Sequence, residues 1–287
     1  MSARAGWRTR SLAAAANLTG LAIDVITQPR LAPAFVTAFQ QIGPVDAVHP
    51  ASGSATAWLA HLDILRFIVI MQYESVLIVE DDIDWDIAIK DQMRNYANAV
   101  RNFTMAASSD PSPYGSSWDM LWIGHCGEAG GVGLRQHLYT DPSRVTNQQY
   151  HSFSDVFETW KDTVSDGARS LSNSKNTVCS FAYGVHRRSA QKVLDWTSQG
   201  QNEAFDISLM TGCKSKNLDC VVVVPELMHH YEPPQLAGYV SAVSEGDGKG
   251  RSAGDEVFEG LIGHTLNIQN SARCRALFNE TCLVRRY

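Results

Sequence analysis

The run Val76 to Asp86, VLIVEDDIDWD, constrains the fold more than any other part of the chain. Apolar, β-favouring residues lead directly into a group of carboxylates. A buried strand that ends in clustered acids concentrates negative charge at one point, and a hard divalent cation makes such a point tolerable. The run therefore predicts a strand with a cation-dependent site at its carboxyl end, and the acids that follow the strand are Glu80, Asp81, Asp82, Asp84 and Asp86.

Two other interpretations apply to the same run. Acids also favour the positive end of a helix dipole, by about 0.3–1 kcal/mol each. A strand followed by an ordinary acid-rich helix N-terminus is therefore one alternative interpretation of the run. An acidic pair after a strand is also typical of phospho-receiver domains. In a receiver, the pair lies near the N-terminus and a phosphorylatable Asp ends a later strand. Here the pair follows residue 79, and Asp119 begins the next apolar run instead of ending it, which disfavours a receiver.

Length and charge narrow the class of protein. The chain has 287 residues, enough for a large core, and nothing divides it in two, so we expect one domain over 1–287 with 237–287 as a partly irregular C-terminal segment. Charged residues make up 19% and the net charge is -6. A phosphate backbone requires a basic surface, so we expect no nucleic-acid partner.

The longest apolar stretch, Ala55 to Tyr73, contains His61, Asp63 and Arg66 near helical spacing. This pattern predicts a buried amphipathic helix and no membrane span. The N-terminal residues resemble a signal peptide, but Asn17 and Asp24 interrupt the apolar part, which favours a helix running into a strand.

The cysteines indicate a secretory compartment. They lack the spacing of a zinc site, and their even number, six, together with sequons at Asn17, Asn102 and Asn279, fits an oxidising environment. We expect two disulfides, Cys213 with Cys220 and Cys274 with Cys282.

Strand-like and helical runs alternate along the chain, which predicts an α/β fold with a mainly parallel sheet and helices on both faces. Ligands bind at the carboxyl ends of the strands in such sheets. Three features are expected there: the acid cluster, the glycine loop Gly124 to Gly133, and the pair His229–His230. The predicted strands are Leu21–Ile26, Val76–Glu80, Met120–Ile123 and Cys220–Val224, and the predicted helices are Leu12–Asn17, Ala32–Gln41, a helix from Ala55, Ile87–Phe103, Ser189–Trp196 and Phe205–Met210.

Four blocks in register, LIVEDDIDWD, WDMLWIGHCGE, CSFAYGVHRRSAQKVL and VVVVPELMHHYEPP, resemble glycosyltransferase family 25, especially its fungal members. The family includes bacterial lipooligosaccharide and procollagen galactosyltransferases, and the resemblance covers roughly residues 7–236. It implies a GT-A fold and inverting transfer of a hexose, galactose above all, from a UDP-sugar to a glycan or glycoprotein hydroxyl. It also implies Mn²⁺ or Mg²⁺ against the donor diphosphate and a place in the secretory pathway, in the Golgi lumen.

The resemblance also assigns roles to residues of this chain. Asp82 is the leading metal ligand, and Asp84 is a second candidate because the two make a DxD motif. His229 or His230 is expected to complete the coordination, although an exposed loop histidine explains them equally well. Glu80, Asp81 and His61 are expected near the donor. Asp206 is the candidate base, although a helix N-cap explains it equally well, and a packed core histidine is an equal reading of His61.

One departure concerns the start of the domain. Family members open with a strand and an arginine-rich turn that helps form the nucleotide pocket, and this chain is expected to lack that strand. An inner strand without its neighbour leaves backbone groups unpaired. The alternative function is therefore a non-catalytic relative, truncated or a pseudoenzyme, that binds nucleotide or glycan without turnover.

Overall fold

A computed structural model describes residues 5–129, 135–152 and 154–283, apart from the side chain of Asp155. The chain has an α/β fold in which helices pack on both faces of a sheet. The helices are α1 Trp7–Thr19, α2 Pro33–Gln40, α3 Ser52–Met71, α4 Ile89–Thr104, α5 Arg187–Thr197, α6 Phe205–Lys214, α7 Ala242–Gly246, α8 Asp255–Phe258 and α9 Ala272–Phe278, with 3₁₀ turns at Asp155–Asp162 and Gln235–Ala237. The strands are β1 Ser75–Val79, β2 Ile83–Trp85, β3 Met120–Gly124, β4 Gln136–Thr140, β5 Ala168–Asn173, β6 Ala182–His186, β7 Cys220–Val224, β8 Met228–Glu232 and β9 His264–Thr265.

The sheet is mixed, and most of its pairings are antiparallel. The main strand order is β1-β6-β3-β7-β5-β4, and β8 joins β2, β3 and β9 at one end of β3. Among the described strands, β3 pairs in parallel with β7 and β8, and the other pairs are antiparallel. The prediction of a mainly parallel sheet was therefore wrong. The chain inserts β6 between β1 and β3, and β5 beside β7, and neither strand carries the continuous apolar run on which the prediction relied.

The predicted strand Leu21–Ile26 is also wrong, because this segment is an irregular extended stretch. Leu21 and Ile23 pack against one core cluster and Ile26 packs against the other. Asp24 and Val25 remain exposed. The apolar residues therefore anchor the segment across the edges of two clusters without sheet pairing.

Two apolar clusters lie on opposite faces of the sheet because successive strand residues point to opposite sides. One cluster joins α3, α5 and α6 to the sheet through residues such as Trp58, Tyr183 and Val222. The other joins α1 and α4 through residues such as Tyr96 and Val223. Helices on both faces confirm that part of the prediction.

Helix α3 is long and apolar enough to cross a membrane by length and composition alone. Trp58, Leu62 and Leu65 are at most 2% exposed and lie in the first cluster. A core helix passes the same test, so this is weak evidence for a span.

The six cysteines form three disulfides. The pairs Cys213–Cys220 and Cys274–Cys282 confirm the prediction, and Cys126–Cys179 is the third. This last bond connects the loop after β3 to the segment before β6, beside the acid cluster.

Candidate functional site

The carboxyl end of β1 carries the acid cluster, as the sequence indicated. The amide of Glu80 still donates to the carbonyl of Phe181, which extends the pairing with β6 by one residue. The chain then turns at Asp81 and Asp82 and enters β2, which pairs with β8 so that Ile83 lies opposite His230. The amide of Tyr231 donates to the carbonyl of Asp82 at 2.8 Å. This short ribbon brings His230 to the end of β1.

Glu80, Asp82 and His230 form a three-residue cluster whose candidate ligand atoms all lie within 4.8 Å of one another. His230 Nε2 is 3.7 Å from Asp82 Oδ1 and 4.0 Å from Glu80 Oε2. Asp82 Oδ1 and His230 Nε2 are buried and have no hydrogen-bond partner among the described residues. Two carboxylates and an imidazole in this arrangement can hold a divalent cation such as Mn²⁺.

The other side of Glu80 is held by residues from α3 and from the segment before β6. Ser180 Oγ donates to Glu80 Oε1 at 3.1 Å, and His61 Nε2 is 3.6 Å from the same oxygen. The ring of His61 stacks on Phe205 and its Nδ1 lies 3.1 Å from the hydroxyl of Tyr183. His61 thus lies in the core, as one interpretation expected, and it also contacts the cluster, while its place near a donor stays a prediction.

The charges in the cluster reinforce one another. Burial alone would raise the pKa of Glu80, but the imidazoles of His230 and His61 outweigh it and hold the pKa well below its ordinary value. Burial alone would lower the pKa of His230, but the charges of Asp82 and Glu80 raise it above the ordinary value. For His61, burial dominates and lowers the pKa. The cluster therefore favours ionised carboxylates and attracts positive charge.

Asp84 does not belong to the cluster, so its prediction as a metal ligand is corrected. It lies within β2 and is fully buried, where it accepts hydrogen bonds from the hydroxyl of Ser271, from the amide of Arg273 at 3.1 Å and from the amide of Trp85 at 2.8 Å. Since these donors satisfy the carboxylate and Asp84 is not among the three clustered residues, Asp84 has a structural role.

His229 is corrected for a different reason: it is adjacent to His230 on β8, and adjacent strand residues point to opposite faces. While His230 faces the acids, His229 Nε2 lies 3.7 Å from Glu226 Oε1 in a separate buried network. There, Glu226 accepts hydrogen bonds from the hydroxyl of Tyr150 at 2.9 Å and from the side-chain amide of Asn267 at 2.5 Å. Burial lowers the pKa of His229 to about 3.

The remaining candidates border the cluster. Arg8 Nη1 lies 4.0 Å from Asp81 Oδ1, which places a guanidinium beside the acidic turn. Asp206 lies in the first turn of α6, whose N-cap is Ala204, and its Oδ2 accepts the amide hydrogen of Cys179 at 2.7 Å. Burial raises the pKa of Asp206. Part of the predicted glycine loop, residues 130–133, lies outside the described residues.

Sequence reasoning missed two residues that shape the cluster. Ser180 donates to Glu80, and the ring of Phe181 lies 3.6 Å from that of His230, centroid to centroid. Both belong to the block CSFAYGV. The sequence signal for their role was a serine placed between a cysteine and an apolar run.

Comparison with protein-family models and with curated proteins finds no match to the chain.

The two carboxylates of the DxD motif are expected to differ in their effect on stability. Asp84→Ala should lower the free energy of unfolding by about 3–5 kcal/mol, because it leaves the buried guanidinium of Arg273 without its nearest carboxylate. Asp82→Ala, the matched control, should change it by less than about 1 kcal/mol, because its Oδ1 has no hydrogen-bond partner among the described residues and its ion pair with His230 is long, at 3.7 Å. Urea unfolding followed by circular dichroism measures both, and equal losses would contradict the separation.

Glu226 should make stability depend on pH. Burial raises its pKa from 4.5 to about 7, against the opposing hydrogen bonds from Asn267 and Tyr150. The folded state therefore holds this proton more tightly than the unfolded state. The resulting stabilisation, on the order of 3 kcal/mol, is complete below about pH 4.5 and is lost as the pH rises through about 7.

Glu226→Gln should remove this part of the pH dependence and leave the variant more stable than the parent protein above pH 7. Urea unfolding at a series of pH values tests this, with the exposed residue Glu245 changed to Gln as the control. If Glu226→Gln keeps the parent slope between pH 4.5 and 7, the carboxyl group titrates normally.

Proposed function

We propose that the chain is a metal-dependent glycosyltransferase of the family 25 type with a GT-A fold, which transfers a hexose, galactose above all, from a UDP-sugar to a glycan or glycoprotein hydroxyl with inversion. The observation that carries the proposal is the cluster of Glu80, Asp82 and His230 at the carboxyl end of β1. The four sequence blocks in register add the substrate class. The three disulfides support a secretory-pathway location, the Golgi lumen in this proposal.

The residues of the cluster fit a divalent cation. Asp82 Oδ1 and His230 Nε2 are both buried and have no hydrogen-bond partner among the described residues, and leaving such atoms unmatched is costly. A cation between them and Glu80 would satisfy both at once. Mn²⁺ accepts oxygen and imidazole ligands together, whereas Mg²⁺ prefers oxygen, so this set favours Mn²⁺. When bound, such an ion stabilises the diphosphate leaving group as a Lewis acid.

The surrounding side chains fix the geometry of the cluster. Ser180 and His61 hold one oxygen of Glu80, which leaves the other, Oε2, facing His230. The ring of Phe181 covers His230 and limits its rotation. Arg8 lies beside Asp81, where a guanidinium would contact an anionic donor. A ligand set held in this way loses little conformational entropy when it binds an ion.

Asp206 is the proposed base. It would accept the proton of the acceptor hydroxyl as that oxygen attacks the anomeric carbon. A buried carboxylate with a raised pKa is better suited to this than an exposed one, because its pKa lies closer to neutral pH. The amide of Cys179 fixes the orientation of the carboxylate.

A second candidate, binding of nucleotide or glycan without turnover, is supported by the position of β1. In the described strand order β1 lies at the edge of the sheet, with β6 as its one partner. A donor bound at the end of an edge strand has one strand fewer to enclose it, and open sites exclude water less well. Binding with no release of sugar would favour this candidate.

Asp82→Asn should weaken Mn²⁺-dependent binding of UDP at least tenfold, because it replaces the charged ligand with a neutral amide. Calorimetric titration of UDP with and without Mn²⁺ measures the effect. Asp46→Asn, which changes an exposed acid elsewhere, is the matched control and should bind as the parent protein does. Unchanged affinity in Asp82→Asn would remove the metal assignment.

Asp206→Asn should keep UDP affinity and slow the release of galactose from UDP-galactose by about 10²–10⁴-fold, the usual contribution of a general base. The readout is UDP formation with water as the acceptor. If the parent protein binds UDP and Mn²⁺ and releases no sugar, the non-catalytic candidate applies. If the parent is active and the variant equally so, Asp206 is not the base.

A further inference from the structure

The three disulfides differ in how easily a dissolved reductant can reach them. Cys126 and Cys179 are both partly exposed. By contrast, each of the other pairs has a buried member: Cys213 and Cys220 are 5% and 2% exposed, and Cys274 is 0% exposed. Thiol–disulfide exchange begins when a thiolate reaches one of the two sulfur atoms, so access decides which disulfide reacts first. The bond between Cys126 and Cys179 is therefore the first candidate for reduction.

The backbone of Cys179 adopts a conformation that a side chain disfavours. Its φ is +67°, in the left-handed region, which a residue with a Cβ atom enters at a cost that glycine avoids. Cys282 also has a positive φ, but its partner Cys274 is fully buried. Contacts around Cys179 must hold it in this conformation, and the covalent bond to Cys126 is the strongest of them.

Cys179 uses both of its backbone groups at the candidate site. Its amide donates to Asp206 Oδ2 at 2.7 Å, and its carbonyl accepts from the indole nitrogen of Trp122 at 2.8 Å. The next residue, Ser180, donates to Glu80. The angle φ describes rotation about the bond between the amide nitrogen and Cα, so a change of φ at Cys179 moves the contact with Asp206 relative to the contact with Glu80.

We propose that the disulfide Cys126–Cys179 is a redox switch, which a dithiol reductant opens before the other two disulfides and whose opening lowers the affinity of the acid cluster for a divalent cation. The second part of this proposal rests on the function proposed above. One thiolate of the reductant attacks a sulfur of the pair and expels the other, and the second thiol of the reductant then displaces the protein from the mixed disulfide. Two electrons and two protons pass to the protein, which gains two thiols, and the reductant leaves as a disulfide.

Opening the bond changes the balance at Cys179. Two thiol sulfurs cannot remain at bonding distance, so the side chains of Cys126 and Cys179 move apart. No covalent bond then opposes the return of Cys179 to a negative φ, and this rotation displaces Ser180 relative to Glu80. The amide of Cys126 still donates to the carbonyl of Val178, at 2.9 Å, so the two segments stay paired and the protein stays folded.

The first test follows the disulfides of the full chain. The protein is incubated with graded dithiothreitol, free thiols are trapped with iodoacetamide, and the labelled cysteines are identified by mass spectrometry. Cys126 and Cys179 should become labelled at a reductant concentration at least about tenfold lower than the other four cysteines. Amide hydrogen exchange over residues 177–182 should rise in the same step while α4 stays protected. Equal labelling of all the cysteines, or unchanged exchange over 177–182, would overturn the proposal.

Calorimetric titration of Mn²⁺ measures the effect on the acid cluster, after the reductant has been removed by gel filtration under nitrogen. The form with Cys126 and Cys179 reduced should bind with a Kd about tenfold higher than the oxidised form, because loss of a group that orients metal ligands costs about 10–100-fold in affinity. An equal Kd in the two forms would overturn the switch. No binding by the oxidised form would contradict the proposed function instead, and labelling and hydrogen exchange, which need no metal, would still decide whether the disulfide opens first and releases the segment.

Two variants separate the backbone conformation from the bond itself. Cys126→Ala/Cys179→Ala and Cys126→Ala/Cys179→Gly both lack the disulfide, but glycine adopts a φ of +67° without penalty. The glycine variant should bind Mn²⁺ as the oxidised parent does and should not respond to reductant, whereas the alanine variant should bind about tenfold more weakly. Equal affinity in the two variants would contradict a switch that acts through this backbone. Should either variant fail to fold, labelling and exchange in the parent chain decide.

Discussion

The buried guanidinium of Arg273 determines where the acid cluster lies. It donates to the carbonyl of Asp81 at 2.6 Å, to the carbonyl of Ile83, and to the carbonyl of Arg8 at 3.1 Å, and it is fully buried. One side chain thus joins α9, the turn after β1 and the first turn of α1. It holds the backbone on both sides of Asp82, whose Oδ1 lies 3.7 Å from His230 Nε2. Burying a guanidinium is costly, and Asp84 and the carbonyl groups offset that cost.

This arrangement separates two kinds of carboxylate that the sequence presents as equivalent. Asp84 compensates a permanent charge and is satisfied by fixed donors, so it cannot also serve a cation. Asp82 has a buried oxygen without a partner, and the positive charge nearest to it is on an imidazole whose proton an ion can displace. Alternation of side chains separates the two histidines on β8, where His229 enters a buried network and His230 faces the acids. The contacts around each side chain, and not its residue type, decide which groups remain for the proposed cation.

The part of this candidate site that depends on local sequence pattern can be predicted from the sequence. The apolar run before Glu80 is a strand, and His230 reaches the acids because both follow strands that end at the same side of the sheet. The relative direction of the strands was not predictable in the same way. The strand β6 contains Ala182 and Gly184, which interrupt any apolar run, yet it lies between β1 and β3 and is antiparallel to both. The role of Asp84 was hidden for a different reason. Its partners come from residues about 190 positions later, and no local pattern shows that contact.

The segment Cys179 to Phe181 connects the proposed base to the cluster of Glu80, Asp82 and His230. Cys179 is bonded to Cys126 through its sulfur and donates its amide hydrogen to Asp206, Ser180 donates to Glu80, and Phe181 accepts from the amide of Glu80 while its ring covers His230. Each residue of the segment thus fixes a different part of the site. The disulfide anchors the segment to the loop after β3, so the spacing between Asp206 and Glu80 is set by covalent and backbone contacts before any ligand arrives. Catalysis by positioned charges requires such fixed spacing, because groups that reorient during the reaction lose the benefit of their charge.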